Sequence, residues 1–285
     1  MKYIPKLQIL ISTKGQDGIE RIASLSHPEI NGVEYIVSWQ NGRRELIPPS
    51  LLKRKDFKVV LDESVGLSKN RNNALRNSSS DWVLISDDDL IYSEENIGNV
   101  LKGFESNPDC AVLAFKYESA DYPRVYPSSE FLLTNPPKGY FTVSFEVGLN
   151  LKRIREEMKA DVFPAFNENF GIGAFFGSGE EDIFIHNILK AGLKGKFLSL
   201  TICNHPGPTT SIRDKTKDSF IRTQGAVISH VKPVSWPLRM IVHALRASKN
   251  DSERIGFFRY LFQFLKGVNQ AEKNRVFDFK KFMNK

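Results

Sequence analysis

Three consecutive carboxylates, Asp87, Asp88 and Asp89, stand directly after the apolar run Trp82-Val83-Leu84-Ile85-Ser86. Like charges crowded at the end of a buried strand repel one another and lose solvation. The arrangement makes chemical sense around a divalent cation or a set of hydrogen-bond donors. An oxygen-only cluster suits magnesium or manganese. The competing reading is a solvated turn before a helix opened by Ser93 or Glu94, because Asp is common in turns and helix caps. A second chemical element lies upstream, where Gly66-Leu67-Ser68-Lys69-Asn70-Arg71 starts a helical pattern. The exposed N–H groups of a helix amino terminus, with the cations Lys69 and Arg71 beside them, can bind a diphosphate or a base edge. An ordinary capped surface helix would look much the same.

These groups need elements to hold them. Leu7-Gln8-Ile9-Leu10-Ile11-Ser12, Glu34 to Trp39, Phe57 to Leu61 and Trp82 to Ser86 form four short apolar runs separated by helical or turn-rich stretches. That alternation predicts a parallel α/β sheet, with a ligand crevice beyond the carboxyl ends of its strands. The polar segments Ser12-Thr13-Lys14-Gly15, Gln40-Asn41-Gly42, Asp62-Glu63 and Asp87-Asp88-Asp89 then converge on one edge. Convergence of four segments strengthens the cation-site reading, with Ser12, Thr13 and Asn41 joining Lys69, Arg71, Asp87 and Asp88 as ligand contacts.

Bulk composition narrows the class. With 285 residues, 41% of them apolar, the chain can bury a large core. Its two cysteines, Cys110 and Cys203, form no CxxC pair and support neither a disulfide framework nor a thiolate metal site. The start Met1-Lys2-Tyr3-Ile4-Pro5 lacks a signal peptide's apolar core, and the expected location is the cytoplasm. Net charge is +7, but residues 231–285 hold 12 Lys and Arg against 4 Asp and Glu, or +8, leaving −1 for the rest. A nucleic-acid enzyme would carry its basic surface around the chemistry, so nucleic acid is not the expected partner.

The stretch Gly66 to Asp89, GLSKNRNNALRNSSSDWVLISDDD, resembles the family 2 glycosyltransferases of the GT-A fold. The resemblance implies a Rossmann-like nucleotide-diphospho-sugar transferase: an α/β mixed sheet flanked by helices, here with a C-terminal helical extension. It implies a sugar-nucleotide donor and makes the aspartates the DxD element, Asp87 facing the nucleoside and Asp89 the metal. Asp88 can take either role, because a triplet leaves the register open. Phe166 to Gly173, leading to Gly179-Glu180-Glu181-Asp182 and a helix ending near Gly192, is similar to the acceptor-side region of the same family, where one carboxylate is the general base. Counting back from Gly192 favours Glu181, the expected base, while residue type favours Asp182. Adjacent helical residues point about 100° apart, so only one of them faces the acceptor. After the strand pattern Lys196 to Ile202, the resemblance makes His205 a metal ligand and brings Thr210-Ser211 toward the diphosphate.

The likeness covers roughly residues 6 to 212. Ser12-Thr13-Lys14-Gly15 and Gln40-Asn41-Gly42-Arg43 depart from the Pro-Thr-Tyr-Asn and Asp-Asp-Gly-Ser of many relatives. UDP is the expected nucleotide, with dTDP and GDP next, and a divalent Mn2+ or Mg2+ ion the expected cofactor. Expected organisation is a glycosyltransferase domain over 1–230, its donor half about 1–115 and its acceptor half about 116–230, then a basic amphipathic tail over 231–285. Within the acceptor half, Tyr117, Tyr122, Tyr126 and Tyr140 would present rings to sugar faces or join the core. The tail reads as helices that dock on a membrane's inner face, where lipid-linked acceptors are presented, or that cover a sheet edge or form a dimer contact. Two other classes fit less well: a sugar nucleotidyltransferase, whose Gly-rich phosphate loop is not evident, and a non-catalytic nucleotide- or glycan-binding module.

Overall fold

The computed structural model describes residues 4–157, 165–207, 216–250 and 254–277. By backbone contacts the chain forms two compact units: a sheet unit of residues 1–65, 69–165 and 187–209, and a helical unit of residues 66–68, 166–186 and 210–285.

The sheet unit is built on eight strands: β1 (Leu7–Lys14), β2 (Val33–Gln40), β3 (Phe57–Asp62), β4 (Trp82–Asp87), β5 (Val112–Glu118), β6 (Phe131–Leu132), β7 (Val147–Asn150) and β8 (Gly195–Asn204). Their order is β3-β2-β1-β4-β7-β5-β8-β6. Strands β3, β2, β1 and β4 run parallel, β7 is antiparallel to both β4 and β5, β8 parallels β5, and β6 is antiparallel to β8. The result is the mixed sheet expected, with a parallel half formed by the four apolar runs. Strand β1 shows why those runs were legible: every residue but Lys14 is buried, as sheets covered on both faces require.

Register then decides the site. Ser12 pairs with Ser38 and Asp87, Lys14 with Gln40, and Gln40 with Asp62, so the carboxyl ends of the parallel strands lie side by side. Helix α1 (Gly15–Ser24) follows β1, and the short α2 (Pro49–Leu52) precedes β3. Helix α3 (Leu67–Arg76) carries Asn70 and Arg71, and α4 (Glu94–Ser106) begins at a capping box in which the Ser93 hydroxyl accepts from Asn96 N and Asn96 Oδ1 accepts from Ser93 N. Ser93 therefore opens the helix after the aspartates. Helix α5 (Leu151–Glu157) follows β7.

The helical unit contains α7 (Asp218–Val231), α8 (Trp236–Ser248), α9 (Phe257–Lys273) and the start of α6 (Glu180–Lys190). Its core joins Ile221, Ala244, Tyr260, Phe264 and Val268, while Ile183 packs with Phe170, Phe176, Ala226 and Val227. Helices α7 and α9 meet backbone to backbone. A Cβ at Gly225 would collide with the Phe264 carbonyl, and one at Gly267 with that of Arg222. Neither carbonyl can swing aside as a side chain would, so the helices themselves must part. Gly267→Ala is expected to cost about 1–3 kcal/mol by overpacking. A thermal midpoint equal to that of the parent would show that the two helices are not held this close. Among the described residues no helix is long and apolar enough to cross a membrane.

Candidate active site

At the carboxyl end of β4 the three aspartates separate into different tasks. Asp88 is fully engaged: Oδ2 accepts from the Thr13 hydroxyl, and Oδ1 accepts from Arg21 at 2.6 Å. Burial, opposed by the Thr13 hydrogen bond and the Arg21 charge, raises its acid above the usual range. Asp88 thus ties β1 and α1 to β4, and Thr13 gives its hydroxyl to that tie. Asp87 accepts from Arg71 Nη2 at 2.9 Å and keeps 31% of its side chain exposed. Asp89 has its Oδ1 buried with no hydrogen-bond partner, while Oδ2 lies 3.6 Å from His205 Nε2. Burial, then the nearby Asp87 carboxylate, raises the Asp89 acid.

His205 arrives by an identifiable route. Ile91 and Asn204 exchange two backbone hydrogen bonds of 2.9 Å, and His205 N donates to Glu118 O at 2.8 Å, which pins the end of β8 beside the segment after Asp89. His205 Nδ1 lies 2.6 Å from Gly207 O and 3.3 Å from the Gly207 N–H, which fixes the ring's orientation. Nε2 is thereby turned toward Asp89, the orientation a metal-ligating imidazole needs. Phe145 lies against the imidazole with ring centroids 5.3 Å apart.

An oxygen and a nitrogen donor with a partnerless buried carboxylate oxygen fit a divalent ion. Among the described residues no three His, Cys, Asp or Glu side chains gather into a cage. Asp89 and His205 could hold such an ion together with substrate phosphates and water.

Around this pole the other expected contacts fall as follows. Ser12 is buried, and its Oγ has no partner. Asn70 Nδ2 donates to Thr13 O at 2.8 Å, leaving Asn70 Oδ1 buried without a partner. Arg71, 2% exposed, bridges Asp87 to the Ser144 hydroxyl at 2.7 Å. Lys69 is half-buried, and Asn41 is exposed at φ 56 in the left-handed region that Asn tolerates. Its neighbour Gly42 lies over the Trp39 ring, where any Cβ would clash. Thr210 and Ser211 lie outside the described residues.

Sequence reasoning did not find the support behind Arg71 and His205. Glu146, fully buried, accepts from Arg124 at 2.7 Å, from the Tyr126 hydroxyl and from Val143 N at 3.0 Å. This locks the 143–146 turn whose Ser144 meets Arg71 and whose Phe145 meets His205. Burial pushes the Glu146 acid up to about 7 against the opposing Arg124 charge. Of the tyrosines, Tyr117, Tyr126 and Tyr140 join ring clusters with Phe145 or Phe197, whereas Tyr122 is exposed.

In the helical unit the acidic trio opens α6. Glu180 is buried near Gly171, Glu181 is half-buried and Asp182 is exposed. The density of protein around Asp182, more than the neighbouring Glu180 charge, raises its acid to about 6, although water reaches the side chain. The preceding loop is fixed by Ser68 Oγ donating to Phe170 O at 2.6 Å, Leu67 N to Ile172 O at 2.9 Å and Phe176 N to Asn169 O at 2.8 Å. Gly171 and Gly173 take the positive φ values this path needs.

Residues 43–169 match the profile of Glycosyl transferase family 2. That match identifies a family 2 glycosyltransferase segment within the chain. No curated protein sequence matches it. Among solved structures this glycosyltransferase is similar to S. aureus TarS 1–349 in complex with UDP-GlcNAc, at 16% identity and TM-score 0.59 over 94% of this chain and 92% of that one. It is also similar to the mannosyltransferase PcManGT from Pyrobaculum calidifontis in complex with GDP-Man and Mn2+, at 11% identity and TM-score 0.51 over 95% and 76%. A longer S. aureus TarS structure, 16% identical at TM-score 0.53, is matched over 43% of its length by 93% of this chain. At such identities these likenesses show the GT-A fold.

Proposed function

We propose that this glycosyltransferase moves a sugar from a UDP-sugar to a hydroxyl of a glycan or lipid-linked saccharide, with inversion and with a divalent metal, in surface polysaccharide synthesis at the inner face of the cell membrane. The observation that carries the reading is the pairing of Asp89, whose buried oxygen lacks a partner, with Nε2 of His205 at the end of β4. The Mn2+ bound with GDP-Man in PcManGT and the UDP-GlcNAc bound in TarS support the cofactor and donor class.

Asp89 and His205 would hold the metal, which when bound supplies positive charge against the departing diphosphate. Asp87, oriented by Arg71, accepts hydrogen bonds from the nucleoside, while Ser12, Asn41 and Lys69 complete the donor contacts. Asp182 is the base of this proposal and Glu181 its alternative on the same helix turn. An acid near 6 is largely ionised at neutral pH yet basic enough to accept a proton. In the reaction the acceptor O–H gives its proton to that carboxylate, its oxygen bonds to the anomeric carbon from the face opposite the nucleotide, and the carbon–phosphate-oxygen bond breaks. Both bonding electrons leave with UDP, and the anomeric configuration inverts.

Thermal stabilisation by UDP, dTDP, GDP and their metal complexes tests the donor assignment, because ligand selective for the folded state raises its stability. UDP with manganese is expected to give the largest shift. A larger shift with GDP would reassign the nucleotide.

A further inference from the structure

Helices α8 and α9 leave large apolar side chains in water on one stripe each. On α8 these are Leu238, Ile241 and Leu245, at positions i, i+3 and i+7; on α9 they are Phe258, Phe262 and Leu265, at i, i+4 and i+7. Phe258 is 81% exposed, Leu238 67% and Phe262 65%. Both spacings trace a single side of a helix, while Ala244, Tyr260 and Phe264, off those stripes, join the core. Singly exposed apolar residues are ordinary in proteins, but six on two neighbouring helices are not. Both stripes have the same basic border: Arg239 and Arg246 one step around α8, Arg259 and Lys266 one step around α9, with Lys249 at the end of the α8 stripe. No acid lies within α8, and Glu272 is the one acid of α9. The segment 231–285 is +8 overall.

We propose that these two stripes form a docking face for a membrane surface carrying anionic lipid. An apolar strip edged by cations is the pattern of a helix lying in the interface plane, its rings and leucines among the acyl chains and its Arg and Lys at the headgroups. Charge complementarity separates this occupant from a second copy, since two such faces would set cations against cations. The proposal deepens the membrane-face placement given above and rests on it, but uses nothing of the donor chemistry.

Co-sedimentation of the full chain with vesicles tests it, using phosphatidylcholine alone and phosphatidylcholine with about 30% phosphatidylserine. At low salt, binding to the anionic vesicles is expected to exceed binding to the neutral ones by at least about tenfold and to fall as salt is added. Leu238→Ser with Phe258→Ser and Phe262→Ser should abolish binding to both vesicles. Arg239→Glu with Arg246→Glu and Lys266→Glu should reduce anionic binding to the neutral level; Arg259 is left alone because it pairs with Asp218 at 2.8 Å. Manganese-dependent stabilisation by UDP, measured on every variant, should be unchanged, so loss of the membrane face and loss of the transferase reading give different results. Equal binding by the serine variant and the parent, absence of parent binding to either vesicle, or a concentration-dependent dimer abolished by the serine substitutions would each overturn the proposal.

Discussion

Asp89→Asn is expected to lower sugar transfer by about a thousandfold while leaving the thermal midpoint near that of the parent, the scale of losing a main charge-stabilising contact in a transition state. The amide keeps the size of the side chain. It removes the negative charge that, with His205 Nε2, draws the cation, and turns one carboxylate oxygen into an amide nitrogen beside a buried Oδ1 that has no partner. Because that oxygen makes no hydrogen bond inside the protein, the fold loses little when it changes. Asp88→Asn is the contrast. Its two oxygens hold Thr13 and Arg21, so the substitution should lower the midpoint while the manganese requirement persists. If Asp89→Asn turned over at the parental rate, the metal role of Asp89 would be wrong.

Asp182→Asn should cost about 100- to 10,000-fold in kcat with nucleotide binding unchanged, the usual span for removing a general base. Glu181→Gln should cost far less. The pH dependence carries a definite sign. The base works as the carboxylate, so the rate is expected to rise with pH through about 6 and level off above it. For stability the sign is opposite: an acid raised in the folded state favours folding while protonated, and that contribution is lost as pH rises through about 6. At neutral pH the uncharged amide should therefore leave the midpoint equal or higher, separating lost chemistry from lost folding. Were Glu181→Gln the inactive variant, counting back from Gly192 would be the better guide to the base.

Legibility in the sequence followed the range of the interactions involved. The strands β1 to β4 announce themselves because burial on both faces demands unbroken apolar runs, and their polar ends could be placed on one edge without knowing the register. Strands β6 and β7 could not be read: Phe131–Leu132 is two residues long, and Val147–Asn150 carries Gly148 where Phe104 and Phe115 leave no room for a side chain. Which aspartate of the triplet is structural depends on Thr13 and Arg21, far away in the chain, so the register stayed open. Glu146 was invisible for the same reason, since its burial and its partners exist only once the turn before β7 meets Arg124 and Tyr126. His205 was visible by its place after a strand, but its ring orientation is set by the Gly207 backbone, a contact only the folded loop makes.

The most direct measurement is turnover of a UDP-sugar with a saccharide acceptor, with and without manganese, following UDP release and the anomeric proton of the product by NMR. Manganese-dependent release of UDP with a product of inverted configuration is the predicted result. Turnover that is indifferent to manganese and chelator, or a product that keeps the donor's configuration, would contradict the account.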